Sequence, residues 1–418
     1  MKKESKEQTN KKKSMIILIT VIALIGIILG SIVIRNVVVN QETERENYLT
    51  GGNANSSLIA NYIKEGVTIG GITGTFEVLD TSDADATPED IFKGKTAYVK
   101  GVKITGTRFS IGEAIDKGYV FEEDTTIKDD LENEVRIPGG FHLAEDSATK
   151  VEDGIVIEDD IGNQFVWIPA KTGTGITIHT TMGDKKIVYQ RTDFEGQHGS
   201  YSDYSETLPA DEETSVNANG GYYIGRFEAG DKVSTEAKKM RTSGDSQTNE
   251  VSIKKGQAPY VYATYENQKA LAEGMGSKRG YIGTTKMVSS YAWDTAINFI
   301  QIKTPDYGTN SPQGNYNDIT FSYANVGETE KTQIKENGSS QLVPTGQTTA
   351  VSNIYDMGGN AYERTTESNS VASDSISSRG GYYSYNASNR PAGYRNNDYG
   401  NAYSIFSFRV TLFCSTER

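Results

Sequence analysis

The chain has 418 residues and a formal charge of −13, with 23% charged and 36% hydrophobic residues, a balance that excludes a disordered chain and allows a sizeable core. Residues 1–35 carry six Lys and Arg35 against Glu4 and Glu7, leaving −18 on the remainder, and an acidic body of that size would repel a phosphate backbone, so nucleic acid is not expected as a partner. The single cysteine, Cys414, excludes an internal disulfide and a cysteine-based zinc cage. It is expected to close the last strand as a small apolar residue.

Residues 1–14 form a basic tail. Met15 to Ile34 is an uncharged run dominated by Ile, Leu and Val, and at about 1.5 Å per residue it spans roughly the thickness of a bilayer core. With Lys11, Lys12 and Lys13 before it, the run predicts a transmembrane anchor at 15–34 that leaves the C-terminal domain extracellular, on a single-pass bacterial cell-membrane protein. A cleaved signal peptide and a pilin-like leader are the alternatives. The apolar run is long for the first, and the second lacks its Gly-Phe-Thr-Leu-x-Glu junction. Residues 35–60 are polar and read as a linker.

Residues 61–109 hold two short similar units. One ends Gly-Ile-Thr-Gly-Thr at 71–75 and the other Lys-Ile-Thr-Gly-Thr at 103–107. Alternating residues with glycine turns predict β-hairpins, too small to make a core alone and suited to spacing. The second unit is similar to small β modules of phage tail and fibre proteins. A connector over 110–134 then leads into a large domain over 135–418. It opens with short apolar strands separated by Gly, Asn and Pro, and carries one clear helical period over Ser289–Ile300, with Ser289 or Ser290 as its cap. The expected class is α+β with much loop.

Catalytic motifs are sparse. Gly94-Lys95-Thr96 lacks the upstream glycine of a phosphate loop. His142, His179 and His198 have no ligand spacing and are expected at the surface or in turns, as are the paired acids Glu122-Glu123 and Asp159-Asp160.

The tract from Gly380 to Ile405 is built almost wholly of Tyr, Asn, Ser, Gly and Ala, a mixture of rigid amphipathic rings and small adaptable polar groups that suits a binding surface. Its expected contact residues are Tyr383, Tyr385, Asn389, Tyr394, Asn396, Asn397, Tyr399 and Tyr403. Arg379, Gly380, Gly381, Phe408 and Arg409 are expected to form the framework beneath them. Lys, Glu, Gln, Met and Trp, which codons ending NNC cannot encode, are absent from 368–416.

The blocks around this tract resemble the formylglycine-generating enzyme (sulfatase-modifying factor) family, whose fold is a variant of the C-type lectin. Carrying the resemblance are Asn353, Ile354, Tyr355, Asp356, Met357, Gly359, Asn360 and Glu363, then Arg379, Gly380 and Gly381, then Phe408 and Arg409. Upstream, Gly-Tyr-Tyr-Ile-Gly-Arg-Phe-Glu (221–228) and Tyr-Ala-Trp-Asp-Thr-Ala (291–296) follow in the family's order. The resemblance implies a C-type-lectin-like domain behind the anchor and the β repeats. It implies a structural calcium ion held with Asn360 and Glu363, oxygen ligands that suit a hard cation. Where the family usually has tryptophans, this chain has Tyr362 and Arg364. The family's oxidation of a target cysteine needs a pair of cysteines, or copper held by both, and one cysteine cannot supply it. Neither copper nor formylglycine chemistry is therefore expected. Domains of this kind serve as variable proteins of diversity-generating retroelements. The expected function is accordingly non-catalytic binding of a protein or glycan ligand on a cell or phage surface. The rival expectations are an enzyme with other chemistry on the same scaffold and a pilin-like or phage-fibre subunit.

Overall fold

Residues at positive φ close the two hairpins of the repeats. In the first, β1 (Thr68–Ile69) returns as β2 (Ile72–Thr73) through Gly71 at φ 81°. In the second, β3 (Thr96–Val99) returns as β4 (Val102–Thr105) through Lys100 at 50° and Gly101 at 77°. Two successive residues in that region, as at Lys100 and Gly101, match the twist of a tight antiparallel hairpin, and β1 pairs with β2 and β3 with β4 as the alternation predicts. The computed structural model describes residues 60, 62–69, 71–77, 81–91, 95–108, 110–194, 201–370 and 375–416. The chain divides into two compact units, Met1–Ala86 with Ala97–Ile104, and Thr87–Thr96 with Thr105–Arg418.

The second unit begins earlier than the sequence suggested. Residues 110–134 are part of its body: α1 (Ile111–Asp116) buries Ile111 and Ala114, and β5 (Thr125–Lys128) pairs with β6 (Glu134–Ile137) and buries Ile127. After β7 (His142–Leu143) come β8 (Val156–Glu158) and β9 (Gln164–Pro169), then the small hairpin of β10 (Ile176–Ile178) and β11 (Lys185–Ile187). Next are β12 (Tyr204–Ser205), α2 (Ala210–Asn219), β13 (Gly221–Gly225), β14 (Gly230–Asp231), α3 (Lys232–Glu236) and β15 (Ala258–Pro259). They are followed by α4 (Tyr265–Arg279), β16 (Thr284–Met287) and α5 (Ser290–Ile300), then β17 (Phe321–Tyr323) and β18 (Gln333–Lys335). The chain closes with β19 (Tyr362–Asn369), β20 (Ile376–Arg379), β21 (Arg395–Asp398), β22 (Phe406–Phe408) and β23 (Val410–Phe413).

Two sheets organise these strands. One runs β16-β23-β13-β9-β8-β7 with every neighbour antiparallel, so the last strand of the chain lies between β13 and β16. The other runs β12-β19-β20-β21, with β22 parallel to β19. All five residues of β13 are buried, as expected of a strand covered on both faces. Helix α5 packs Trp293, Ile297 and Ile300 into the core behind Ser289, whose hydroxyl accepts from the Ala292 amide at 3.1 Å, the cap and period read from the sequence.

Two hairpin turns share one latch. Asp129 accepts the amides of Leu131 and Asn133, and its second oxygen accepts the Asn133 side chain at 3.0 Å. Asp159 does the same with Ile161 and Asn163, the side-chain bond being 2.8 Å. Each asparagine then accepts a distant amide, Asn133 that of His179 and Asn163 that of Ile253. Asp159 is thus a buried tie, not the solvated turn residue that a pair of acids suggests. A carboxylate with several donors from a turn is well satisfied while buried.

The expected architecture needs correction. The described chain is mostly β with few helices, 17% helical, where α+β behind a membrane helix was expected. The polar, glycine-punctuated segments pair as short strands, and caps with helix formers are confined to a few places. No helix among the described residues is long and apolar enough to cross a membrane. The longest of these, α4, has 15 residues and carries Glu266, Lys269, Glu273, Lys278 and Arg279, so at roughly 22 Å it is both too short and too charged for a bilayer core. The segment expected to span, 15–34, lies outside the described residues, as do the tail 1–14 and nearly all of the linker. The expectations of a transmembrane helix and of an extracellular domain on a single-pass protein are corrected on this finding.

Candidate functional site

The tract is a loop system carried by two strands. β20 and β21 pair antiparallel in the register Arg379↔Arg395, Ser378↔Asn396 and Ser377↔Asn397, so the two arginines lie side by side at the base of the intervening loop. Gly380 and Gly381 turn the chain out of β20 at φ 84° and 70°. A Cβ on Gly380 would meet the Met357 carbonyl at 2.5 Å, and one on Gly381 the Arg390 carbonyl at 2.2 Å. No other residue fits either position.

Beneath the loop lies a buried charge network. Asp294 of α5 accepts from Arg379 and from Arg395, each at 2.6 Å, while Arg395 and Arg191 both donate to Glu367 of β19, at 3.0 and 2.9 Å. Arg379, Arg395, Asp294 and Glu367 are all buried. Arg379 also donates to the carbonyls of Gly393 and Tyr394, and Trp293 to that of Ala392. The return limb of the loop is therefore fastened to α5. Its outward limb rests on a second loop: the Tyr316 hydroxyl lies 2.8 and 2.7 Å from the Gly380 and Arg390 carbonyls, and the Asn317 amide donates to the Tyr385 carbonyl at 2.9 Å. Buried Lys335 in turn holds this second loop, its ammonium donating to the carbonyls of Tyr316, Asn317 and Ile319. Burial lowers the affinity of that ammonium for its proton, and three carbonyl dipoles offset the cost.

The eight expected contact residues separate into classes. Asn389, Tyr399 and Tyr403 are exposed, Tyr383, Tyr385, Asn396 and Asn397 are half-buried, and Tyr394 is buried. Tyr394 joins Tyr362 and Phe406 in a small cluster with Tyr382 and Ile405 packed against it, and the Arg390 guanidinium lies 4.0 Å over its ring and 4.5 Å over that of Tyr385. The Asn396 side chain donates to Ser378 at 3.2 Å, and that of Asn397 accepts from Asn369 at 3.3 Å. Tyr383, whose phenol is pushed up by burial, hydrogen-bonds Ser404. The framework assignments match the structure: Arg379, Phe408 and Arg409 are buried.

Sequence reasoning missed Tyr262 and Tyr265. The Tyr262 amide donates to the Tyr403 carbonyl and the Tyr265 amide to that of Gly400, both at 2.9 Å, so two further tyrosines border the exposed end of the tract. Their segment lies more than a hundred residues upstream, and no local pattern marks it.

Asn360 and Glu363 do not fit a calcium ion as they stand. The Asn360 side-chain oxygen accepts from Asn315 at 2.9 Å and from the Val343 amide at 3.1 Å, and its amide donates to Glu228 and to the Val343 carbonyl. Both Glu363 oxygens accept from Arg409, the Nε bond being 2.7 Å, and Arg409 also donates to the carbonyls of Gly225 and Tyr355. A guanidinium thus stands against the carboxylate that an ion would require, and the asparagine oxygen is already used twice. Burial pushes Glu363 up to about 7 despite Arg409. Among the described residues, no group of three or more His, Cys, Asp or Glu side chains is placed to hold a metal ion.

Other reactive groups are enclosed. The Cys414 thiol is buried, and that burial pushes it up to about 12, which suits the small apolar residue expected at the end of β23. His142 and His179 are partly exposed beside Glu158 and Asp184, while His198 lies outside the described residues. Glu212 is buried on α2, where Tyr189 and Ser289 donate to one oxygen at 2.6 and 2.7 Å. Burial raises it to about 7, against those two bonds.

No family model and no curated protein matches this chain. Among solved structures, the structure of PvdO from Pseudomonas aeruginosa is similar at 16% identity with a TM-score of 0.33, covering 62% of this chain and 97% of that one.

Proposed function

We propose that the chain is a non-catalytic ligand-binding protein whose tract at 380–405 forms the binding face, on a domain of the formylglycine-generating-enzyme type that lacks the family's cysteine pair. In this reading the tract is diversified by a retroelement, and its ligand is a protein or a glycan. One observation carries the proposal: the loop is fastened from below by buried arginines, Asp294 and Tyr316, while Asn389, Tyr399 and Tyr403 at its outer side are exposed. A recognition surface needs rigid support under rings that are free to be covered.

The test has two arms. Codons 380–405 are sequenced across sister isolates, and substitutions should gather at Asn389, Tyr399 and Tyr403 while sparing Tyr394 and Arg395. An even spread would remove the retroelement. The full chain is also screened against arrayed glycans and purified envelope proteins, and a ligand found there should be lost by Tyr399→Ala and Tyr403→Ala at unchanged melting temperature. A ligand that both variants bind normally would move the site elsewhere.

A further inference from the structure

A cleft of about 460 Å³, with no residue of the tract in its lining, lies between α3, the segment 249–257, the C-terminal half of α4 and Ile161 in the β8–β9 turn. Its volume is in the range of small-molecule sites. The floor is apolar: Val251, Leu271 and Met275 are buried there, and Ile161 stands at the edge 47% exposed.

Four cations stand at the rim, on a chain of net charge −13. Lys232, Lys254, Lys278 and Arg279 line the cleft with only Glu236 and Glu250 against them. Two of the cations are neutralised locally. Arg279 is paired with Asp159 at 3.2 Å and with Asp160, and Lys232 lies 3.8 Å from Glu250. The other two reach neutral acceptors, Lys254 the Ile161 carbonyl and Lys278 the Asn249 carbonyl. A carbonyl satisfies an ammonium's hydrogen bond without cancelling its charge. Lys254 and Lys278 are therefore the two rim cations that no carboxylate among the described residues pairs with.

We propose that this cleft binds a small monoanion with an apolar body, such as an alkyl or aryl carboxylate. The body lies on Leu271 and Met275, and the carboxylate displaces the two carbonyls as partner of Lys254 and Lys278. The two lysines suit a single carboxylate, since a second negative charge would meet Glu236 and Glu250. The apolar floor selects against a compact inorganic anion, which would leave the floor's remaining apolar surface uncovered.

The full chain is titrated with decanoate, read by displacement of anilinonaphthalene sulfonate fluorescence and by isothermal calorimetry, with 1-decanol and inorganic phosphate as comparisons. Decanoate should bind saturably at one site. Phosphate and decanol should each bind at least about tenfold more weakly, near the effect of one lost charge contact. Lys254→Gln and Lys278→Gln should each weaken decanoate severalfold and together at least about tenfold, while Lys278→Arg retains binding. Both lysines extend from the rim, so folding should survive and the melting temperature will report it. Equal binding by the double variant, equal binding of decanol, or no saturable binding by the unaltered chain overturns the proposal. Failure of the tract to bind any ligand has no bearing on it.

Discussion

Tyr394 and Tyr399 are five residues apart in a tract of one composition, yet the first is 6% exposed and the second 64%. The difference comes from what stands beneath each. Tyr394 follows Gly393, whose carbonyl Arg379 holds, and its ring is enclosed by Tyr362, Phe406 and the Arg390 guanidinium. Tyr399 follows Asp398, which turns inward to pair with buried Arg364 at 2.6 Å and leaves the next ring in solvent. A stretch rich in Tyr and Asn is therefore two things at once, a floor that belongs to the fold and a rim that belongs to a ligand. Composition alone does not separate them.

The sharpest way to break that distinction is to remove the charge network under the floor. Arg379→Ala leaves Asp294 short of one partner in a buried site, and deletions of that kind usually cost about 3–5 kcal/mol. Chemical denaturation should show a loss of that size. The same is expected of Arg409→Ala, which strands Glu363. A loss below about 1 kcal/mol for Arg379→Ala would mean that the loop does not depend on its buried base.

Tyr394→Ala should cost about 3 kcal/mol, as expected for truncating a buried aromatic residue. Tyr394→Phe should be nearly neutral, because among the described residues the ring packs against Tyr362, Phe406 and Arg390 without a side-chain hydrogen bond. A neutral Tyr394→Ala would return Tyr394 to the contact surface, where the sequence alone placed it.

Much of this floor was legible and the rest was not, for identifiable reasons. Arg379-Gly380-Gly381 reads locally, because the turn needs two glycines at positive φ in a row. The α5 cap and apolar period are likewise written within eleven residues. The partners of Glu363 and Arg379, by contrast, lie 46 and 85 positions away, at Arg409 and Asp294, and nothing in the sequence says whether a carboxylate will meet a guanidinium or a metal ion. Helix α4 had its signals, Thr264 as cap and Gly280 as stop, but Gly274 and Gly276 interrupt its pattern. Tyr262 and Tyr265 reach the rim only through the fold.

The body also holds a carboxyl that makes its stability depend on pH. Glu212 has a folded value of about 7 against its ordinary 4.5, so the folded chain holds that proton more tightly than the unfolded one. Its contribution to stability is complete below about pH 4.5 and is lost as pH rises through 7. Lys286, Asp211, Glu206, Tyr189 and Tyr222 face it. The melting temperature of the unaltered chain relative to Glu212→Gln should therefore fall between pH 5 and pH 8. A difference that stays constant, or widens in the opposite sense, removes Glu212 as the titrating group.

The smallest expected effect is the one on which the functional reading depends. Tyr399→Ala and Tyr403→Ala remove rings that stand mostly in solvent, and surface changes of that kind usually alter stability by within about 0.5 kcal/mol. If the rim is a recognition surface, the same truncations should lower affinity for a ligand found by screening by about 2 kcal/mol or more, the scale of an aromatic anchor. Tyr262→Ala, at the border of the same face, should lower affinity by less. The decisive quantity is the ratio of the two effects at one residue. At Tyr394 the stability loss should exceed any direct loss of affinity, and at Tyr399 and Tyr403 the order should be reversed. Equal ratios at all three would mean that the tract is one continuous piece of fold, and that its exposed tyrosines are surface without a partner.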